Sequence, residues 1–236
     1  MSQDPFWNDL REEIQSQSVS HHPIYVDVVE GRLKRETIAE LCAQLKFTVL
    51  EGISSLSLII PQAPRDIKKE LAENLFGELC GTPDEPSHWE LALRAGAAAG
   101  YTEDDIDARP MMPETKIYPD TVAAYAMTGK WIEALSFVSL GIEDMFTEFC
   151  AGVTRGLTMH YGYDEHSVFY FAVHVGADEH HAETGWEVAK AYATTDERKA
   201  SVRRAALEGR NMWWNMYSAI YRHGEGKDAP TLRLDA

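Results

Sequence analysis

Three residues of metal-binding type recur at helical spacing in one segment of the chain. His174, Asp178 and His181 are four and seven residues apart within a predicted long helix. At 3.6 residues per turn these spacings are rotations of about 40° and about −20°, so the side chains share one helical face. Two imidazoles and a carboxylate suit iron or manganese and leave coordination positions for dioxygen or a substrate. The same segment also fits a structural histidine followed by a solvated Asp-Glu-His-His run.

A metal site between helices needs further ligands, and two glutamates occur at positions that suit this role. Glu143 ends a stretch whose helical face is otherwise apolar or small, where a buried carboxylate would be costly without a cation. Glu78 ends another apolar helical face, and His88 follows ten residues later across a turn rich in glycine and proline. Taken singly, each glutamate is typical of a solvated acid and His88 of a capping residue. The hypothesis of a metal site therefore depends on their joint placement.

The periodicity of the apolar residues predicts the helices that must position these side chains. No run of period-two alternation bounded by turn signals predicts a strand, and residues 109–119 are expected to form a loop. The expected fold is an all-α bundle, with one domain over residues 1–224 and a loose tail over 225–236. Helices are predicted over residues 4–16, 23–29, 36–60, 66–79, 89–99, 104–108, 120–127, 131–160, 165–192 and 196–221.

The composition narrows the class of partner. The chain has 236 residues, of which 44% are hydrophobic and 25% charged, which is typical of a globular protein. Its 38 acidic and 22 basic side chains give a formal charge of −16, which disfavours nucleic acid and anionic membranes as partners. Three cysteines without metal-finger spacing, no signal-peptide pattern and no long apolar stretch predict a soluble cytoplasmic protein. We expect it to act on a small-molecule substrate.

The order of the candidate ligands resembles that of the haem-oxygenase-like di-iron oxidases. The resemblance covers most of the chain, because the opening residues 22–25 (His-Pro-Ile-Tyr) and 31–33 (Gly-Arg-Leu) are also similar to the pyrroloquinoline-quinone-synthase-like relatives of that family. The pattern consists of Glu78 and His88, a glutamate at position 143, and then His174, Asp178 and His181.

The resemblance implies a seven-helix bundle that binds two Fe(II) ions, or a manganese–iron pair, and uses dioxygen as co-substrate. The implied reaction is the oxidation of a small amino acid, an amine or a related carboxylic acid, by N-oxygenation or oxidative C–C cleavage. An external electron donor and a homodimer also follow from the resemblance. The implied metal ligands are Glu78, His88, Glu143, His174, Asp178 and His181.

One branch of this family can be compared with the chain over a single short segment. The 4-aminobenzoate synthase branch implies a lysine that faces the site two to three turns after Glu143. The chain has Gly152, Val153 and only Arg155 there, which argues against that branch.

Two further classes of function stay open. A metal-free enzyme on the same fold would resemble thiaminase II, which needs a cysteine nucleophile, or the quinone synthase, which needs many basic residues. Cys42, Cys80 and Cys150 match no such nucleophile segment, and the chain is acidic. A non-catalytic protein that recruits a partner through its acidic surface would not react with dioxygen.

Two tyrosines are candidates for catalytic roles as radical relays. Tyr170 is one turn before His174 on the same predicted face, and Tyr25 lies in the early helix. Packing in the core is the simpler explanation for both, as it is for Trp213 and Trp214 in the last helix. The candidate cations for binding a substrate carboxylate are Lys46, Lys116 and Arg155.

Overall fold

Helices make up nearly all of the regular structure in the computed structural model of the chain. The structure describes residues 4–81 and 86–233, and of residues 176–182 it describes the helical backbone only. Within these ranges there is no β-strand, which confirms the predicted all-α fold. The α-helices are α1 (Pro5–Gln15), α2 (Pro23–Val29), α3 (Arg35–Phe47), α4 (Ser54–Leu56), α5 (Lys68–Cys80), α6 (His88–Ala97), α7 (Glu103–Asp107), α8 (Pro113–Met127), α9 (Trp131–Val138), α10 (Asp144–Tyr161), α11 (Phe169–Tyr192) and α12 (Asp196–Glu225).

The described residues form more helical segments than the seven that the resemblance implied, and two of the predicted long helices change their winding. The helix predicted over residues 36–60 passes from α3 into a π-helical segment, Thr48–Ile53, and then into two shorter turns. The helix predicted over residues 131–160 passes from α9 through a second π-helical segment, Ser139–Glu143, into α10. Such π-helical turns occur mostly within α-helices and frequently at functional sites.

The prediction of a loop over residues 109–119 was wrong from residue 113 onward. Pro113 begins α8, where the missing N–H of proline costs no hydrogen bond. The side chain of Gln44 fixes this start, since its carbonyl oxygen accepts from the backbone N–H of Met112 at 2.9 Å and from the hydroxyl of Thr115 at 2.7 Å. Pro119, taken from the sequence as the end of the loop, lies inside the helix.

Close backbone contacts hold the second π-helical segment against α12. A Cβ atom on Gly141 would lie 2.3 Å from the carbonyl oxygen of Ala206, and one on Gly209 would lie 2.1 Å from that of Phe137. Real Cβ atoms do not approach so closely, so both positions require glycine at this helix spacing. The position of Glu143 relative to α12 is therefore set by backbone packing.

A buried carboxylate joins three helices one residue beyond Glu143. Asp144 accepts hydrogen bonds from Arg11 of α1 at 2.8 Å, from the amide of Gln15 at 2.7 Å and from the indole of Trp186 in α11 at 2.9 Å. Charge-assisted bonds of this kind are stronger than neutral ones. They fix the start of α10 against α1 and α11.

The described part of the tail is held on α12 by side-chain hydrogen bonds. Asn215 donates to the carbonyl of Leu232 at 2.8 Å and accepts from its N–H at 2.8 Å. The indole of Trp214 donates to the carbonyl of Pro230, also at 2.8 Å. Across the described ranges, no helix combines the length and the apolar character needed to cross a bilayer.

Candidate metal centre

Three of the predicted ligands converge from three different helices. Glu78 lies in the last turn of α5, His88 is the first residue of α6, and His174 lies in α11. All three side chains are buried, and one potential ligand atom of each lies within 4.8 Å of the others. A Glu78 carboxylate oxygen is 2.7 Å from Nδ1 of His88.

The local sequence explains why His88 has a defined position. Ser87 caps α6, and its hydroxyl and N–H both bind the carboxylate of Glu90, at 2.6 and 3.1 Å. This reciprocal capping box fixes the first turn of the helix. His88 follows the cap directly and is thus placed on the first helical residue.

A backbone hydrogen bond orients the ring of His174. Its Nδ1 is 2.6 Å from the carbonyl oxygen of Tyr170, one turn earlier in α11. A carbonyl oxygen only accepts, so Nδ1 carries the proton and Nε2 carries the lone pair that a metal ion requires. Metal-binding histidines are commonly oriented in this way.

Glu143 lines a small cavity next to the same cluster. It is buried at the end of the second π-helical segment. The cavity has a volume of about 40 Å³ and is lined by Thr48, Val49, Ile53, Glu78, Tyr118, Val138, Ile142, Glu143, Phe146, Tyr170, His174 and Trp213. The structure thus brings four of the six predicted ligands into one buried region. The side chains of Asp178 and His181 lie outside the described residues.

A larger cavity, of about 560 Å³, adjoins the cluster between α5, α9 and α11. Glu78 lines both cavities, and His88 lines the larger one. The walls of the larger cavity are mainly apolar, and its charged lining residues besides Glu78 and His88 are Asp66, Lys69, Glu70 and Glu73. The only one of these four that is basic, Lys69, pairs with Glu73 at 3.2 Å. Acidic groups therefore outnumber basic ones around this cavity.

The two candidate tyrosines have different environments. Tyr170 is 2% exposed, its ring centroid is 4.5 Å from that of His174, and it lines the small cavity. Tyr25 lines neither cavity and packs on Phe149 at 5.7 Å. Burial and the nearby Glu148 raise the pKa of Tyr25. The structure therefore associates Tyr170, and not Tyr25, with the candidate centre.

Gly152, in the segment where the 4-aminobenzoate synthase branch implies a lysine, packs directly against Tyr25. A Cβ atom at this position would lie 2.2 Å from the hydroxyl oxygen of Tyr25. Any larger side chain there would displace the tyrosine ring from α10. The side chain of Tyr25 occupies the space beside Gly152.

The three candidate cations for a substrate carboxylate do not reach the described cavities. Lys46 is buried, but its ammonium group donates to Asp107 at 2.9 and 3.0 Å. Lys116 pairs with Asp120 one turn later in α8, and Arg155 is exposed on α10. None of the three lines either cavity.

Sequence reasoning missed several residues of the small cavity. The first π-helical segment contributes Thr48, Val49 and Ile53, and α12 contributes Trp213. The available signal was Gly52, an isolated glycine inside a helical pattern. Its missing side chain leaves space for the ring of Tyr118, which a Cβ atom would meet at 2.0 Å.

An all-α bundle with buried carboxylates and imidazoles between its helices defines a class of metal-binding helical proteins. Within this class, residues 39–214 match the family described as iron-containing redox enzymes, and the chain belongs to that family. This confirms the haem-oxygenase-like resemblance.

Two curated proteins are similar to this chain over most of its length. The chain is 25% identical over 234 residues to 4-aminobenzoate synthase of Nitrosomonas europaea, covering 94% of each chain. It is 24% identical to pyrroloquinoline-quinone synthase of Pseudomonas entomophila, covering 85% of this chain and 80% of the relative.

Two solved structures show the same fold. A TenA homologue from Pseudomonas syringae superimposes with a TM-score of 0.75 at 12% identity, covering 92% of this chain and 91% of that one. A domain with a haem-oxygenase-like fold from Shewanella denitrificans gives a TM-score of 0.72 at 16% identity, with the same coverage.

Proposed function

We propose that the protein is a non-haem di-iron oxidase or oxygenase that uses dioxygen to oxidise a small molecule. The observation that supports this most directly is the convergence of Glu78, His88 and His174, whose ligand atoms lie within 4.8 Å of one another. Membership of a family of iron-containing redox enzymes supports the same choice of metal.

The donor set fits an iron ion. One carboxylate and two imidazoles offer the oxygen and nitrogen ligands that iron binds in proteins of this type. Burying a carboxylate costs free energy unless a cation or hydrogen-bond donors compensate it, and Glu78 is 6% exposed. Glu143, Asp178 and His181 are the proposed ligands that complete a two-ion site, which bundle proteins assemble from several facing helices.

Iron bound at this site would supply the electrons that reduce dioxygen. The protein's own residues would perform the remaining tasks. Glu78 and Glu143 would offset the positive charge of the ions. The carbonyl of Tyr170 would hold His174 in its binding tautomer, and the ring of Phe146, 5.4 Å from that of His174, would limit access of water.

The larger cavity is the proposed substrate pocket, and its charges favour the amine among the predicted substrates. A volume of about 560 Å³ suits a small organic molecule, and the apolar walls suit an aliphatic or aromatic body. Asp66 and Glu70 also accept hydrogen bonds from the hydroxyls of Tyr192 and Thr184. An ammonium group would be attracted there, whereas a carboxylate would be repelled.

The metal-free alternative of the thiaminase type has less support. Cys42 and Cys150 are buried and Cys80 is exposed, and none of them lines either described cavity. Burial raises the pKa of the Cys42 thiol to about 12, which opposes a nucleophilic thiolate.

The first test is iron content after anaerobic loading, followed by mixing with oxygenated buffer. We expect close to two irons per chain and rapid oxygen uptake. The His174→Ala variant should lose iron and oxygen uptake, while His166→Ala, which changes an exposed histidine, should retain both. Iron content below half an ion per chain in the wild type, unchanged in His174→Ala, would contradict the di-iron proposal.

The second test compares substrates of equal length and opposite charge. n-Hexylamine should accelerate oxygen uptake by the iron-loaded protein more than hexanoate does, and Glu70→Gln should reduce this preference. Glu103→Gln, an exposed acid on α7 outside both cavities, serves as the matched control. A preference for hexanoate would overturn the assignment of an amine substrate while leaving the metal site intact.

A further inference from the structure

Three oxidisable aromatic side chains are spaced by one helical turn along α12. Trp213, Tyr217 and Tyr221 are four residues apart, a rise of about 6 Å per step. They are buried, with exposed fractions of 4%, 0% and 5%. Trp213 lines the small cavity together with Glu78, Glu143 and His174. The first member of the series therefore borders the candidate metal centre.

Ring contacts link Trp213 to Tyr217 directly, and they link Tyr217 to Tyr221 through His22. The centroids of Trp213 and Tyr217 are 5.9 Å apart. His22 lies beside the next step, with ring centroids 6.0 Å from Tyr217 and 6.4 Å from Tyr221. Phe146 packs between Trp213, at 5.8 Å, and His174, at 5.4 Å.

The outer end of the series holds a proton acceptor. The hydroxyl of Tyr221 donates to a carboxylate oxygen of Asp27 at 2.6 Å. The other oxygen of Asp27 accepts from Arg32 at 2.7 Å, and the side chain of Arg32 is 52% exposed. A tyrosine loses its phenolic proton when it is oxidised, so a carboxylate within hydrogen-bond reach allows that oxidation. A buried tyrosine hydroxyl needs some hydrogen-bond acceptor in any core, but a carboxylate, unlike a backbone carbonyl, can also take up the proton.

We propose that Trp213, Tyr217 and Tyr221 form a hole-transfer ladder that carries an oxidising equivalent from the candidate metal centre towards Asp27 when no substrate is bound. The proposal rests on the proposed function, because the oxidant is one derived from dioxygen at that centre. The role of the ladder is to protect the buried ligands from oxidation during an unproductive reaction with dioxygen.

The transfer begins at Trp213 and ends at the pair of Tyr221 and Asp27. Trp213 gives one electron to the oxidant, which is thereby reduced by one electron. Tyr221 then returns one electron to Trp213 through the intervening rings of Tyr217 and His22, which are not themselves oxidised. The phenolic proton of Tyr221 passes to Asp27, so a neutral tyrosyl radical and a protonated carboxyl group remain. A small-molecule thiolate returns one electron to Tyr221 and leaves as a thiyl radical, and Asp27 returns the proton.

The ladder can be tested without iron. Cys80 is the exposed cysteine, whereas Cys42 and Cys150 are buried, so Cys80 can be labelled with a ruthenium photo-oxidant. It lies two residues after Glu78, which lines the small cavity with Trp213. Flash oxidation of the labelled full-length protein should yield a tyrosyl radical, detected by transient absorption and electron paramagnetic resonance.

Variants separate the ladder from simple packing. Tyr221→Phe should abolish the long-lived tyrosyl signal, and Asp27→Asn should suppress it although all three aromatic rings remain. Tyr163→Phe is the control, because buried Tyr163 donates to the carbonyl of Ala95, which cannot take up a proton. A wild-type signal in Tyr221→Phe, or no tyrosyl radical in the wild type, would overturn the ladder.

An experiment on the iron-loaded protein distinguishes failure of the ladder from failure of the proposed function. Mixing it with oxygen in the absence of substrate should produce the same tyrosyl signal, again dependent on Tyr221. Oxygen uptake without a radical would overturn the ladder and leave the oxidase intact. Absence of any oxygen reaction would overturn the oxidase, whatever the flash experiment shows.

Discussion

At the scale of single residues, the structure separates histidines with different tasks. His174 presents one nitrogen to a backbone carbonyl and lies with Glu78 and His88 in a cluster suited to a metal. His22 is fully buried elsewhere and caps α2, because its Nδ1 accepts from the N–H of Ile24 at 3.1 Å. Its Nε2 lies 3.0 Å from the hydroxyl of Ser218. Both ring nitrogens of His22 are thus satisfied only in the neutral form.

This arrangement predicts loss of stability in acid. Burial lowers the pKa of His22 to about 3, whereas the unfolded chain protonates near its ordinary value of 6.5. The stabilising effect is therefore complete above pH 6.5 and is lost as the pH falls from 6.5 towards 3. Between pH 6.5 and 4.5 the loss is about 2 to 3 kcal/mol.

Urea unfolding of His22→Asn at several pH values checks this prediction. Asparagine also caps helices and does not titrate, so the variant should lose less stability between pH 7 and 4.5 than the wild type. His21→Asn, at the exposed neighbouring position, is the matched control. An equal loss in all three proteins would show that other groups cause the acid sensitivity.

At the scale of elements, π-helical turns and glycine contacts set the position of the site. Ser139–Glu143 ends at a predicted ligand, and Thr48–Ile53 supplies part of the wall of the small cavity. Both segments belong to stretches that the apolar periodicity predicts as continuous α-helix. The contacts of Gly141 and Gly209 then bring the second segment against α12.

Substitutions of helical glycines test this packing. Gly209→Ala would place a Cβ atom 2.1 Å from the carbonyl oxygen of Phe137, and should reduce the free energy of unfolding by about 1 to 3 kcal/mol or more. Gly77→Ala, where no atom lies within 4 Å of the added Cβ, should instead stabilise the protein by about 0.5 to 1 kcal/mol. Thermal and urea denaturation measure both. Equal effects of the two substitutions would contradict the close approach of α12.

At the scale of the whole molecule, helices distant in the chain share the candidate centre, so metal binding and folding should be linked. Glu78, His88 and His174 come from α5, α6 and α11, and the cluster does not exist in the unfolded chain. A ligand that binds only the folded state stabilises it, by about 2.7 kcal/mol per site at one hundred times the dissociation constant.

Anaerobic Fe(II) should therefore raise the melting temperature by roughly 5 to 10 °C, since about 2 to 4 °C correspond to 1 kcal/mol in a chain of this size. Calorimetry under nitrogen measures the shift, and a chelator should reverse it. The His174→Ala variant should show little of it, and Mg²⁺ should not replace iron. A shift of the same size in that variant would place the metal elsewhere.

The sequence by itself determined the helical fold and the identities of the candidate ligands. Apolar periodicity reports which face of a helix is buried, and the polar residues that interrupt such a face, among them Glu143 and His174, can be recognised from it. The resemblance of the ligand order to a known family added the metal and the co-substrate, and the family itself is confirmed.

Only the tertiary structure decided how these residues are arranged. Periodicity carries no information on π-helical turns, which depend on packing against neighbouring helices, so neither the wall supplied by Thr48–Ile53 nor the place of Trp213 was predicted. The charge around the larger cavity and the contacts of Tyr25 with Gly152 join residues far apart in the chain. Such proximity follows from the packing of whole helices, which local sequence patterns do not encode.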